Sequence, residues 1–129
     1  MDQRRDEGRM ILDSGICTIF KPFDVSYGGV MPDIRYLFHN QYWYGERSFS
    51  TAPQWRTEGR EELRIDAAIR IFQDRSIAQY DIVVLRQVSD WDEVITGGYT
   101  VYRIVRAYHG VDDYRPDLIT DLSLEVYKP

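Results

Sequence analysis

One thiol and two imidazoles, Cys17, His39 and His109, are the side chains best suited to nucleophilic, acid–base or metal chemistry near neutral pH. His39 sits in the aromatic run Tyr36–Tyr44 with no acid close to it in sequence. His109 precedes Gly110, Val111, Asp112 and Asp113, which sets an imidazole beside two carboxylates in a turn. A metal there would need further ligands from elsewhere, and the loop spacing of a hard-oxygen cation site is missing. Turns are rich in Asp for conformational reasons alone. Cys17 lies between Ile16 and the pair Thr18 and Ile19, where a small buried apolar residue is expected rather than a nucleophile. The acidic pairs Glu61–Glu62 and Asp112–Asp113 are adjacent, and read as solvated turns rather than as a general acid facing a general base. There is no Gly-x-Ser-x-Gly elbow, phosphate-cradling loop, dinucleotide fingerprint or paired-cysteine zinc pattern. The sequence implies no catalytic residue, no cofactor and no metal.

The elements that would position any site fit within one domain. A chain of 129 residues is long enough for a core without disulfide staples, and a single cysteine allows no internal bridge. That usage fits a reducing compartment. No apolar run approaches a membrane span, and the charged start Met1–Arg9 does not resemble a secretory signal. Residues 1–9 are expected to be a mobile polar tail and residues 10–129 one domain. The net charge of −5 argues against a general nucleic-acid binder. The 14 arginines, 10 tyrosines and 3 tryptophans supply side chains that anchor protein interfaces.

The periodicity predicts strands. Ile16–Phe20 is a β-branched run expected to stop at Pro22. Tyr36–Tyr44 is a second strand, with Tyr36, Phe38 and Tyr42 expected on one core face and Trp43 at an edge. Leu63, Ile65, Ala67, Ile69 and Ile71 alternate with Arg64, Asp66 and Arg70. A helical face of Ile65, Ala68, Ile69 and Phe72 competes, but the unbroken alternation favours a strand. Asp81–Arg86 reads as a short strand buried on both faces, and Gly97-Gly98 as a hairpin turn. Tyr99–Tyr108 follows, with Arg103 and Arg106 expected on opposite faces. After an acidic turn over Gly110–Pro116, Leu118–Val126 alternates as a half-buried last strand. The fold class is all-β, a small antiparallel β-barrel or sandwich.

Gly45–Glu62 reads as a long projecting loop, and connections of that length are usually functional or disordered. Its Arg47, Phe49, Trp55, Arg56 and Arg60 are the candidate protein-interface residues. The aromatic run Tyr36, Phe38, Tyr42, Trp43 and Tyr44 offers a competing role, a stacking platform for single-stranded nucleic acid. Its cations would have to be Arg47, Arg56 and Arg60, which Glu46, Glu58, Glu61 and Glu62 offset.

Four stretches, Thr57–Asp74, Ile82–Arg86, Tyr102–Asp113 and Ile119–Glu125, give the chain a resemblance to the head-closure, or head–tail joining, proteins of tailed bacteriophages and prophages. The shared plan is an arginine-bearing strand, an apolar strand, a Tyr-Arg-Ile strand and a closing leucine-rich strand, over residues 10–127. The resemblance implies a small β-barrel that assembles as a homo-oligomeric ring beneath the portal, between portal or adaptor and tail proteins. It also implies a location in the virion neck after synthesis in the bacterial host cytoplasm, with no catalytic residues, membrane or sequence-specific nucleic acid. Tail-terminator or tail-completion subunits are the nearest alternative. A single-stranded nucleic-acid-binding barrel, and last an enzyme, are alternatives from other classes.

Overall fold

The computed structural model describes residues 12–26, 31–47, 65–112 and 117–129. Six strands, β1 (Gly15–Asp24), β2 (Ile34–Glu46), β3 (Ala67–Phe72), β4 (Ile82–Val84), β5 (Tyr102–Val111) and β6 (Leu118–Val126), pair antiparallel in a ring. Its order is β1-β2-β3-β6-β5-β4, closing back on β1, and one short helix, α1 (Trp91–Gly97), accompanies it. The all-β expectation holds, and closure leaves no sheet-long edge.

Alternation sends Cys17 and Ile19 of β1, Ile69 and Ile71 of β3, Val83 of β4, Ile104 of β5 and Leu122 and Leu124 of β6 into one buried cluster inside the ring. Full burial of each such aliphatic side chain contributes ~1.5–3 kcal/mol. The intervening residues Phe20, Ile82 and Val84 form a second apolar cluster outside the ring with Val88, Val94 and Val101. The helix α1 and the chain entering it cover this outer face. That is why Ile82–Val84 reads as a continuous apolar run: it is buried on both sides.

Several expectations are corrected. β1 does not stop at Pro22 but continues to Asp24, with Pro22 opposite Tyr36. β4 pairs with β1 only as far as Phe20, so Pro22 lies where β1 is an edge on that side, a place where a missing N–H is tolerated. In β2, Asn40 faces Ile19 while Phe38 faces Phe20, so His39 is an extra, bulged residue. The bulge inverts the alternation: Tyr42 and Tyr44 join the interior cluster, while Tyr36 packs on the outer one and Phe38 is largely exposed. Tyr36, Phe38 and Tyr42 therefore do not share a core face. A second bulge, at Val105, puts Arg103 opposite Glu125 and Arg106 opposite Ser123, hence on the same face rather than opposite ones. Leu63 and Arg64 lie outside the described residues, and β3 begins at Ala67.

Gly97-Gly98 is not a hairpin turn. Asp90 caps α1 by accepting the Glu93 N–H at 2.9 Å, and Glu93 Oε1 accepts the Ser89 N–H at 2.7 Å. Gly98, at φ 65°, closes the helix by donating to Ile95 O. A left-handed glycine serves a hairpin and a helix end equally well, and the Asp90-x-x-Glu93 cap distinguishes the two. Trp91 places its ring 5.1 Å from Phe20 and 4.4 Å from Tyr36.

Candidate functional site

The backbone ladders around the ring are uneven. β1–β2, β3–β6 and β5–β6 pair along most of their lengths, whereas β2–β3 and β4–β5 share two residue pairs each and β1–β4 three. The chain between β3 and β4, residues 73–81, crosses the end of the ring where β1 finishes and β2 begins. Its Ile77 is buried in the interior cluster, while its polar groups fasten it to four strands. The Asp74 carboxylate accepts from Tyr42 of β2 and lies 3.2 Å from His39 Nε2 of the same strand. The Asp74 N–H donates to Thr120 Oγ1 of β6 at 3.1 Å. Lys21 of β1 donates to Ser76 O and pairs with Asp81. His109 of β5 reaches Ile77 O with Nε2 at 3.2 Å and Thr120 Oγ1 with Nδ1 at 2.8 Å. Because a carbonyl can only accept, Nε2 is the donor in the contact with Ile77 O.

This cap brings together the densest set of reactive groups among the described residues. Burial alone would raise the pKa of Asp74, but hydrogen bonds from Ser76, Tyr42 and His39 outweigh it and hold the carboxyl well below its usual range. The Tyr42 hydroxyl is pushed up, first by burial and then by its bond to Asp74. Ser76, His39 and Asp74 have the composition of a hydrolytic triad but not its wiring. A relay needs the hydroxyl on one ring nitrogen and the acid on the other. Here Nε2 faces both Ser76 Oγ, at 2.9 Å, and Asp74, and the serine hydroxyl already donates to Asp74 Oδ1. The cluster is wired as a fastener, each group satisfying its neighbour.

The other candidates fall apart in space. His109 is committed to the cap. Asp112 is no solvated turn residue: its buried carboxylate lies 2.6 Å from Arg70, which also grips Asp121 through Nε and Nη2 at 2.7 and 2.9 Å. Asp113, Glu61 and Glu62 lie outside the described residues. Among those described, no three His, Cys, Asp or Glu side chains gather as metal ligands. Cys17 is fully buried inside the ring, and burial pushes its thiol up to about 12.

The proposed interface loop begins later than expected, since Gly45 and Glu46 belong to β2, facing Arg70 and Ile69. Arg47 extends that pairing through its N–H to Ala68 O at 2.8 Å. It is half-buried, lining an open cleft of about 350 Å³ with Glu46, Asp66, Leu85 and Tyr102 at the end of the ring away from the cap. Phe49, Trp55, Arg56 and Arg60 lie outside the described residues. The five rings of the supposed stacking platform are split, with Tyr42 and Tyr44 inside and Tyr36, Phe38 and Trp43 outside.

Sequence reasoning missed Asp74, Ser76, Tyr42, Lys21 and Asp81 as a group. Asp74-x-Ser76 does carry a local sign, an aspartate accepting the N–H two residues on, at 2.9 Å. Nothing in the spacing links it to His39, 35 positions earlier. No family model matches the chain, and neither a curated protein nor a solved structure does.

Proposed function

We propose that the chain is a structural protein of the head–tail junction of a tailed phage or prophage, acting as one subunit of a ring that joins the portal to the tail. The observation that carries this reading is a closed antiparallel ring whose interior is filled and whose end is capped by its own polar segment. Apolar side chains fill the interior of the ring, and Asp74, Ser76, His39 and Tyr42 of the cap are engaged with each other. Large apolar side chains remain exposed on the strands, as a protein that works by contact requires. Within the described residues, the four sequence stretches that resemble head-closure proteins overlap β3 with the first two residues of the cap, β4, β5 and β6.

The test is removal of the gene from the phage or prophage that carries it. DNA-filled heads and free tails should accumulate, and tailed particles should return when the protein is supplied from a plasmid. Normal tailed particles in its absence would sink the reading. Tails of uncontrolled length would favour the tail-terminator alternative instead.

A further inference from the structure

β4 and the two residues before it close the ring against Tyr102–Ile104 alone, and the rest of β5 has an open side. Ile104 donates its N–H to Asp81 O and accepts from the Tyr80 N–H, both at 2.8 Å, so its peptide groups point away from β6. Beyond it, among the described residues, no strand runs beside Val105–Val111 on that side. The pairing with β6 fixes which groups are left over. Asp66 donates to Leu124 O and Gln73 to Leu118 O, so Leu118, Thr120, Leu122 and Leu124 turn their peptide groups towards β3. The intervening Ile119, Asp121 and Ser123 turn theirs to Gly110, Tyr108 and Arg106 of β5. The bulge at Val105 shifts the phase, and Ala107, His109 and Val111 are left with N–H and C=O groups aimed into the open side. Among the described residues those groups make no backbone bond. An edge of this kind is a template for another strand.

Beside the edge lies a cleft of about 590 Å³ between β5 and the cap. Its floor is apolar, formed by Ile77 and Ala107, which pack with the interior cluster. On its inner side His109 bridges β5 to the cap through Ile77 O. Its rim is cationic. Arg75 is exposed and bonds, among the described residues, only to the neutral amide oxygen of Gln73, at 3.1 Å. Arg106 adds a second guanidinium from β5. No carboxylate among the described residues lines the cleft. The cap's own acids, Asp74 and Asp81, are engaged by Ser76 and Tyr42 and by Lys21.

The geometry points to this cleft as the docking site for an extended acidic segment of a partner protein, which adds to β5 as a strand. Successive side chains of a strand face opposite sides. One set rests on Ile77 and Ala107, and the other reaches Arg75 and Arg106. The segment that fits therefore alternates apolar with acidic residues. Backbone bonds to Ala107 and His109 hold it, and the two guanidinium groups select its charge. The site goes beyond the head–tail reading and does not depend on it.

Amide hydrogen exchange, followed by NMR on the isotope-labelled chain, tests the edge first. Arg106, Tyr108 and Gly110, bonded to β6, should be protected, while Ala107 and His109 should exchange fast. Equal protection of the two sets means that the edge is closed, and overturns the inference. The probe is then an acetylated peptide of alternating valine and glutamate. It should slow exchange at Ala107 and His109 and leave their protected neighbours unchanged. Arg75→Glu alters an exposed side chain and should weaken binding of the peptide about tenfold. The same peptide methylated on its backbone nitrogens should not bind. A peptide that leaves Ala107 and His109 exchanging freely, or binds as well when methylated, overturns strand addition. Equal affinity for a peptide with lysine in place of glutamate, or undiminished binding to Arg75→Glu, overturns the acidic partner.

Discussion

The ring is held in two different ways. Along β1–β2 and β3–β6–β5, backbone ladders of six to ten residue pairs do the work, and a lost side chain leaves the ladder intact. Across β2–β3 and β1–β4–β5 only two or three pairs form, and the cap's side chains complete the closure. The first are walls and the second are seams. Backbone hydrogen bonds do not titrate and are indifferent to most substitutions, whereas a seam closed by Asp74, Lys21 and Tyr42 depends on individual residues and on pH.

The largest expected effect nonetheless sits on a wall, where it tests whether walls depend on anything but ladders. Arg70→Ala leaves Asp112 and Asp121 without their buried cation and should cost about 3–5 kcal/mol. Urea unfolding with an unchanged m-value would measure it, and a loss near zero would mean that the ladder alone suffices. Asp74→Ala should cost about 2 kcal/mol, because it strips Tyr42 and Ser76 of their acceptor at a seam. The comparison sharpens with pH. Asp74 binds its proton less readily folded than unfolded, so its stabilisation is complete above the ordinary carboxylate range and drains as the pH falls towards the lower folded value. Melting curves below pH 4 should therefore fall more steeply for the wild type than for Asp74→Asn, and parallel curves would remove Asp74 from the seam. Gly98→Ala forces a side chain into the left-handed region and should cost about 1 kcal/mol, felt first at the outer cluster beneath α1. Trp91 fluorescence would report it. The smallest effect is chemical: native Cys17 should resist alkylation until the ring unfolds, whatever becomes of the seams.

The sequence showed the walls better than the seams, for a physical reason. Leu122 and Leu124 alternate with Ser123 and Glu125 because one face of β6 fills the ring, and that pattern is local. Ile82–Val84 shows burial on both faces by having no pattern at all. Bulges are invisible to such reading: nothing in Tyr36–Tyr44 marks His39 as the extra residue, yet it decides which aromatics point inward. The start of the connection is misplaced by two residues, because Gly45 reads as a loop opening whereas Gly45 and Glu46 still pair with Arg70 and Ile69 in the sheet. The cap was beyond reach, since its partners come from positions 21, 39, 42, 109 and 120 and meet only after the ring has closed.

The three residues of β4 carry a consequence for the order in which the molecule forms and comes apart. The β1–β2 and β5–β6 hairpins join neighbours in sequence and can form early, while Thr18 meets Val84 only across 65 intervening positions. Such a short strand gains little until both flanking walls exist, so its docking belongs late in folding and its release early in unfolding. Val83→Ala should therefore speed unfolding and leave the refolding rate nearly unchanged, whereas Leu122→Ala, inside a hairpin wall, should slow refolding. Stopped-flow chevrons of the two variants would show whether the ring opens at β4.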